Sequence, residues 1–329
     1  MTAVPMIELW RNGMLESSHA GHAVIFGPGG IEAAWGDPAA VIFPRSSCKM
    51  LQALPLLESG AAAAAGLTEA QLALACASHN GAAIHTDAVA AWLAALSLGE
   101  GDLRCGAHMP QDKAANKALT CSDTAPCQLH NNCSGKHAGF LTLTRHLGAG
   151  PEYVELDHPV QRAVKTAFEE VTQETSAGFG IDGCSAPNFA CTLTGLARAM
   201  QFFATANPEG SAREAAASRL TRAMTAFPEL VAGEGRACTE LMRAMNGHVA
   251  VKTGAEAVFV AILPEQKRGI ALKITDGATR ASEAAITALL IRLGALDRAH
   301  PVVDRLLTGP QRNWRGLITG EMRRAPGFV

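Results

Sequence analysis

A serine hydroxyl becomes a useful nucleophile only when a neighbouring base takes its proton. Three short runs of this 329-residue chain carry the residue types for that step. Ser46-Ser47-Cys48-Lys49 follows the apolar Val41-Ile42-Phe43 and opens the apolar run from Met50 to Leu57. Hydroxyl and amine are therefore three residues apart at a strand-to-helix junction, on one helical face. Ser78-His79-Asn80 and Lys252-Thr253-Gly254 come later, in that order. A lysine amine accepts a proton only when neutral, a form that burial or a second cation favours. Lys252 is the candidate second cation for Lys49, with Ser78 as a hydroxyl relay between the two amines. Gly254 allows backbone to run close to a substrate. Singly, each run reads as a capping serine or a turn. Together, in order and at element ends, they match the S-x-x-K, S-x-N and K-T-G pattern of serine acyl transfer.

A second constellation is the polar stretch Cys121–Ser134, which reads as a long structured loop, with Cys127, His130, Cys133, Lys136 and His137 close together. Asp182-Gly183-Cys184-Ser185 follows further on. Cysteine and histidine at such spacings can hold zinc. They equally serve as buried apolar thiols and loop-stabilising histidines. Lys136 is a poor ligand on chemical grounds, since it must first lose a proton.

These groups need elements to hold them. Met6–Trp10 and Met14–Ser17 flank Asn12-Gly13, a strong hairpin signal, and Ala23–Phe26 and Ile31–Gly36 flank a Gly-Pro-Gly-Gly turn. From Ser46 to Gly247 the period becomes helical, with candidates Ser46–Leu57, Thr68–Ala77, Thr86–Leu98, Lys136–Leu147, His158–Thr175, Asn188–Thr205, Ser211–Phe227 and Arg236–Met245. Thr68 with Gln71 and Asp157 with Gln161 are the expected caps. Strand patterns return at Val249–Lys252, Ala257–Leu263 and Gly269–Ile274. A helix at Ser282–Leu296 and a strand near Trp314–Ile318 close the chain. The reading is an α/β (α+β) protein. Residues 1–45 and 248–329 form one antiparallel sheet domain, and 46–247 form a mainly helical lobe, with the active site expected in the cleft between them.

Composition excludes several classes. Hydrophobic residues at 48% and charged residues at 18% describe a globular chain, and a net charge of −2 gives no case for nucleic acid. Aromatics are scarce, with one tyrosine, so a stacking platform is not expected. No apolar run reaches membrane-spanning length and no signal-peptide layout is visible. Nine cysteines, an odd number in a large chain, suggest reduced thiols and a cytoplasmic setting.

The longer runs are more specific than any three-letter motif. They are Arg11-Asn12-Gly13 with Glu8, Glu16, Ser17 and His19; Pro44-Arg45-Ser46 with Lys49 and Gln52–Pro55; and Ala77–Asn80. His130–Gly139, Asp182–Pro187 and Lys252–Glu256 complete the set. In these the sequence resembles the Rhizobium etli-type L-asparaginase II family. The resemblance implies a β-lactamase/penicillin-binding-like fold and a homodimer acting on L-asparagine. It implies a double Ser–Lys arrangement, Ser46 with Lys49 and Ser78 with Lys252, and a zinc held by Cys133, Lys136 and Cys184. Arg45, Asn80, His137 and Asp182 are the implied substrate or supporting contacts. Met50 departs from the proline expected there, and an N-terminal helical position tolerates either. His79 stands where β-lactamases carry the Asp of S-D-N, and no deacylating Glu is evident; both weaken a lactamase reading. The expected reaction is hydrolysis of L-asparagine through a Ser46 acyl-enzyme, with backbone N–H groups near Ser46 and Gly254-Ala255 holding the oxyanion. The alternatives are a glutaminase or penicillin-type serine amidase on the same fold. A non-catalytic zinc or thiol-redox protein would leave Ser46, Lys49 and Lys252 unexplained.

Overall fold

The computed structural model describes residues 2–329. The chain folds as two units. One takes the chain up to Ser47, Cys191–Thr205 and Glu240–Val329; the other takes Cys48–Ala190 and Ala206–Thr239.

The first unit is built on an eight-stranded antiparallel sheet. Its strands are β1 (Val4–Arg11), β2 (Met14–Gly27), β3 (Gly30–Trp35), β4 (Ala250–Gly254), β5 (Val258–Leu263), β6 (Arg268–Ile274), β7 (Pro310–Arg312) and β8 (Ile318–Arg324). They run in the order β7-β8-β1-β2-β6-β5-β4, with β3 added on β2. Both chain ends thus supply the one sheet, as the sequence predicts. The first hairpin turns at Asn12 and Gly13, whose φ angles of 46° and 76° are the left-handed pair that joins two strands tightly. Every residue of β5 is buried. A continuous apolar run, Val-Phe-Val-Ala-Ile-Leu, suits a strand covered on both faces. The Leu193–Thr205 and Thr279–Arg292 helices pack on the sheet.

The second unit is mainly helical. Lys49–Glu58 is buried over its first eight residues, and the Glu69–Ala75, Ser134–His146, Pro159–Thr172 and Ala212–Ala226 helices pack around it. Thr68 and Ser211 start their helices with complete capping boxes, Thr68 with Gln71 and Ser211 with Glu214. Gly135 marks a close approach of two helices: a Cβ there would lie 2.4 Å from Leu74 O.

Several expectations need correcting. The boundary expected at 45/46 falls after Ser47, so Ser46 belongs to the sheet unit; the other boundary falls after Thr239. The helix expected over Asn188–Thr205 begins only at Leu193, because Pro187–Phe189 and Cys191–Thr192 are short strands. That helix also belongs to the sheet unit. A Cβ on Gly269 of β6 would lie 2.3 Å from Ala197 O and Gln201 N, so the glycine lets helix and strand backbones meet. His158, not Asp157, caps the Pro159–Thr172 helix, its ring accepting from Val160 N. The Lys113–Cys121 helix has no counterpart in the sequence reading, and none of its nine residues is buried. Trp314 lies in the turn between β7 and β8, fully exposed, and the last strand starts at Ile318.

Candidate active site

Within the helical unit the chain gathers most of the expected chemistry around Lys49. The amine enters the interior because a short 3₁₀ turn, Arg45–Cys48, passes directly into the buried helix that Lys49 begins. Lys49 has no exposed surface. Its Nζ donates to Ala77 O and to Ser78 Oγ at 3.0 Å, and lies 3.1 Å from Cys133 Sγ. A buried amine is tolerable only when its N–H groups find acceptors, and these three meet that need.

The acceptors are fixed by the loops that carry them. Ser78 N donates to Val231 O at 2.9 Å and His79 N to Asn132 O at 3.2 Å, which ties the segment after the Glu69–Ala75 helix to its neighbours. Asn131 braces the next loop: Nδ2 donates to Cys105 O and Gly106 O, and Oδ1 accepts from Cys133 N at 2.8 Å. His79 is a supporting group. Nδ1 accepts from Gly81 N at 3.2 Å, so Nε2 carries the proton and donates to Ser134 Oγ at 3.0 Å, while Ser134 donates on to Leu129 O. Burial holds the ring well below the ordinary histidine value, helped by the stacked His85 ring 4.7 Å away. The neutral imidazole this requires is the form the two hydrogen bonds use.

Cys184 comes from the tight turn between the Phe179–Ile181 and Pro187–Phe189 strands, where Ser185 takes a left-handed φ of 68° and donates from N to Asp182 O at 2.8 Å. Lys136 Nζ lies 3.1 Å from Cys184 Sγ. The Cys133 thiol donates to Asn132 Oδ1 at 2.9 Å. The proximity of Cys133 holds the pKa of Cys184 well below that of a free thiol, with Lys136 and His137 adding to the effect, while Cys133 is raised in turn. Burial works against the charge on Lys136, but Cys184, Cys133 and Asp182 outweigh it, and its pKa is raised. His137 Nδ1 accepts from Tyr153, whose hydroxyl itself accepts from Arg104 N at 2.7 Å. This leaves His137 Nε2 facing Cys184 without a well-formed hydrogen bond.

The proposed ligand trio therefore converges, with the Cys184 thiol held below its ordinary pKa and an orphaned imidazole nitrogen beside it. Two sulfurs and a nitrogen in one buried place fit zinc by ligand softness. Among the described residues no three His, Cys, Asp or Glu side chains form a metal-holding group, so the fit depends on Lys136 as a ligand.

Arg45, Ser46 and Lys252 are placed in the sheet unit. The neighbouring serines of the first motif differ sharply. Ser47 is fully buried, its hydroxyl donating to Pro44 O at 2.7 Å and its N–H to the same oxygen at 3.2 Å. Ser46 is only half-buried. Arg45, just before it, holds a left-handed φ of 53°. The K-T-G strand end comes directly onto this segment: a Cβ on Gly254 would lie 2.6 Å from Pro44 O and 3.0 Å from Ser47 N. Lys252 is buried, and its Nζ donates to Thr253 O at 2.7 Å. Asn80 packs against Gly233, and its Oδ1 accepts from Ala82 N at 3.2 Å. Asp182 Oδ1 accepts from Gly183 N.

Residues 7–324 match the sequence model of L-asparaginase II. The chain belongs to the L-asparaginase II family. Membership makes it an amide hydrolase with a small-molecule substrate. No curated protein matches it. Among solved structures, a β-lactamase from Mycobacterium bovis is similar at a TM-score of 0.46 and 14% identity, covering 84% of this chain and 95% of its own. Mglu, in a form with tris and glutamate, gives 0.48 and 14%, covering 84% of this chain but 59% of its own length. A structure described as a putative β-lactamase from Bacteroides dorei gives 0.45 and 9%, covering 83% and 92%. No described helix of this family member is long and apolar enough to cross a membrane.

Tyr153 escapes the motif reading, and Asn131, His79 and Ser134 stand within the quoted motifs, which assign them no supporting role. Tyr153 had one available signal, as the only tyrosine in the chain.

Proposed function

We propose that the protein hydrolyses L-asparagine to L-aspartate and ammonia through an acyl-enzyme on Ser46. The observation that carries the proposal is the fully buried Lys49 amine, hydrogen-bonded to Ser78 and encoded three residues after the half-buried Ser46. Ser46 Oγ attacks the side-chain amide carbon and its proton passes to neutral Lys49. The tetrahedral adduct collapses with C–N cleavage, and ammonia leaves with a proton returned from the lysine. Water then attacks the β-aspartyl ester, giving up its proton to the same base, and Ser46 regains its own as aspartate departs. Ser78, hydrogen-bonded to the Lys49 amine, passes protons to and from it, Lys252 is the second lysine of the set, and backbone N–H groups at Ser46 and Gly254-Ala255 receive the oxyanion. Arg45, Asn80, His137 and Asp182 are proposed as substrate or supporting contacts.

Zinc belongs to the same proposal: Cys133, Lys136 and Cys184 would hold it, and it would supply a Lewis-acid contact for the amino-acid end of the substrate. A homodimer and a cytoplasmic setting complete the reading. The nine cysteines, all free thiols in the structure, support a reducing compartment.

The test is ammonia release from L-asparagine and L-glutamine, and ring opening of a penicillin-type β-lactam followed by absorbance, each with and without chelator. Turnover of asparagine above the other two is expected. Preference for glutamine or the lactam would move the assignment to the corresponding amidase. Hydrolysis of none of them would sink the reaction class.

A further inference from the structure

The turn after the K-T-G strand is held in a conformation its residues disfavour. β4 and β5 pair with Gly254 opposite Val258, which leaves Ala255-Glu256-Ala257 as a three-residue connection. Glu256 and Ala257 have φ angles of 57° and 56°. Two successive left-handed positions suit glycine or asparagine, and neither residue is one of these. Backbone held this way persists only where its surroundings over-determine it.

Those surroundings come from one stretch. Ile274 N donates to Ala257 O at 3.1 Å. The Lys273 ammonium donates to Glu256 O and, at 2.9 Å, to Ile274 O. Gly277, at φ 76°, leaves room for the Glu256 carboxylate, whose Oε2 would be 2.8 Å from any Cβ placed there. Both carbonyls of the strained turn are thus taken by consecutive residues of β6, one through backbone and one through a side chain. Two residues before Glu256, Gly254 is pressed against Pro44 O and Ser47 N. The position of the turn therefore sets where the strand end meets the Ser46 segment.

We propose that Lys273 is a positioning residue for the Ser46 chemistry, holding the left-handed Glu256–Ala257 turn and through it Gly254 against Pro44–Ser47. The proposal rests on the reading of Ser46 as nucleophile. Lys273 itself touches no reacting atom. Its effect belongs in kcat, through the placement of the K-T-G strand end, and not in substrate affinity.

The experiment uses the full chain and four variants, K273M, K273R, E256G and K273M/E256G. Each is assayed for kcat and KM with L-asparagine and for hydrogen–deuterium exchange of peptides spanning Ala250–Val260. K273M is expected to lower kcat about tenfold, since sub-ångström misplacement already costs rate, with KM within about twofold and faster exchange in the turn. K273R retains a donor and recovers most of the rate. E256G alone stays near the parent, and in K273M/E256G it restores activity, because glycine adopts the left-handed turn without a clamp. A K273M enzyme with unchanged exchange overturns the proposal, as does one that loses rate without rescue by E256G. A rise in KM alone would place Lys273 on the substrate and also overturn it. If K273M does not fold, K273Q, with its shorter donor, carries the same expectations. If the parent enzyme leaves asparagine intact, the functional reading fails, and exchange still decides whether Lys273 holds the turn.

Discussion

Replacing Gly254 by alanine perturbs the meeting of the K-T-G strand end and the Ser46 segment by a single methyl group. The new Cβ would lie 2.6 Å from Pro44 O, 3.0 Å from Ser47 N and 3.3 Å from Ser47 Cβ. Carbon-to-carbonyl contacts settle at roughly 3.3–3.6 Å, so the Pro44–Ser47 segment or the strand end must retreat by about 0.7–1 Å. The obstructing atoms are backbone, and Ser47 is already tied to Pro44 through both its N–H and its hydroxyl, so no side chain can swing aside. Overpacking of this kind costs about 1–3 kcal/mol of stability. A displacement near 1 Å at a reacting group costs roughly a hundredfold in rate, which is about 2.7 kcal/mol of transition-state stabilisation. G254A should therefore lower kcat for ammonia release about a hundredfold while the protein remains folded. The control is G150A, since a Cβ on Gly150 meets nothing within 4 Å and should leave kcat unchanged. A folded G254A enzyme with the parent kcat/KM would refute the claim that this contact places Ser46.

Three further outcomes follow from the geometry. G135A drives a Cβ to 2.4 Å from Leu74 O between two buried helices, so the urea midpoint should fall by the equivalent of about 1–3 kcal/mol; an unchanged midpoint would show that the helices can separate freely. His79 and His85 both have folded-state pKa values below that of a free histidine, chiefly through burial. The unfolded chain therefore binds more protons as pH falls below about 6.5, and each residue subtracts up to about 1.4 kcal/mol of stability per pH unit there, with no contribution above it. Urea titrations from pH 7.5 to 5.5 should show that loss, and H79Q should reduce its slope; equal slopes in parent and variant would count against it. Dialysis against zinc followed by elemental analysis should leave metal on the parent protein and markedly less on C133A and C184A, whereas equal retention by all three would remove these residues as ligands.

The motifs were legible because chemistry restricts residue type: Ser46, Lys49, Ser78 and Lys252 could be named from spacing, and Cys133, Lys136 and Cys184 from the resemblance. The fold was legible where one face repeats, as in β5, or where turn chemistry is explicit, as at Asn12-Gly13 and in the Thr68–Gln71 capping box. Other features were hidden by their residue types. Left-handed backbone falls on Arg45, Ser185 and Glu256, beside Ser46, beside Cys184 and two residues after Gly254, and none of these is a glycine or asparagine that would mark the place. Each costs of order 1–3 kcal/mol, held by long-range contacts that a local pattern does not contain. The attachment of Leu193–Thr205 to the sheet is a similar case. It depends on Gly269 lying opposite Ala197 and Gln201, residues some seventy positions away. The Lys49 acceptors Ala77 O and Cys133 Sγ likewise come from separate loops that the sequence brings together only through folding.

The account turns on whether Ser46 carries the acyl group. Mixing enzyme with L-asparagine, quenching in acid within the first turnovers and mapping peptides by mass spectrometry tests this directly. The predicted result is a β-aspartyl ester on the Ser46 peptide, absent from S46A, which should also release no ammonia above background. An adduct on Ser78 or a cysteine, or full turnover by S46A, would contradict it.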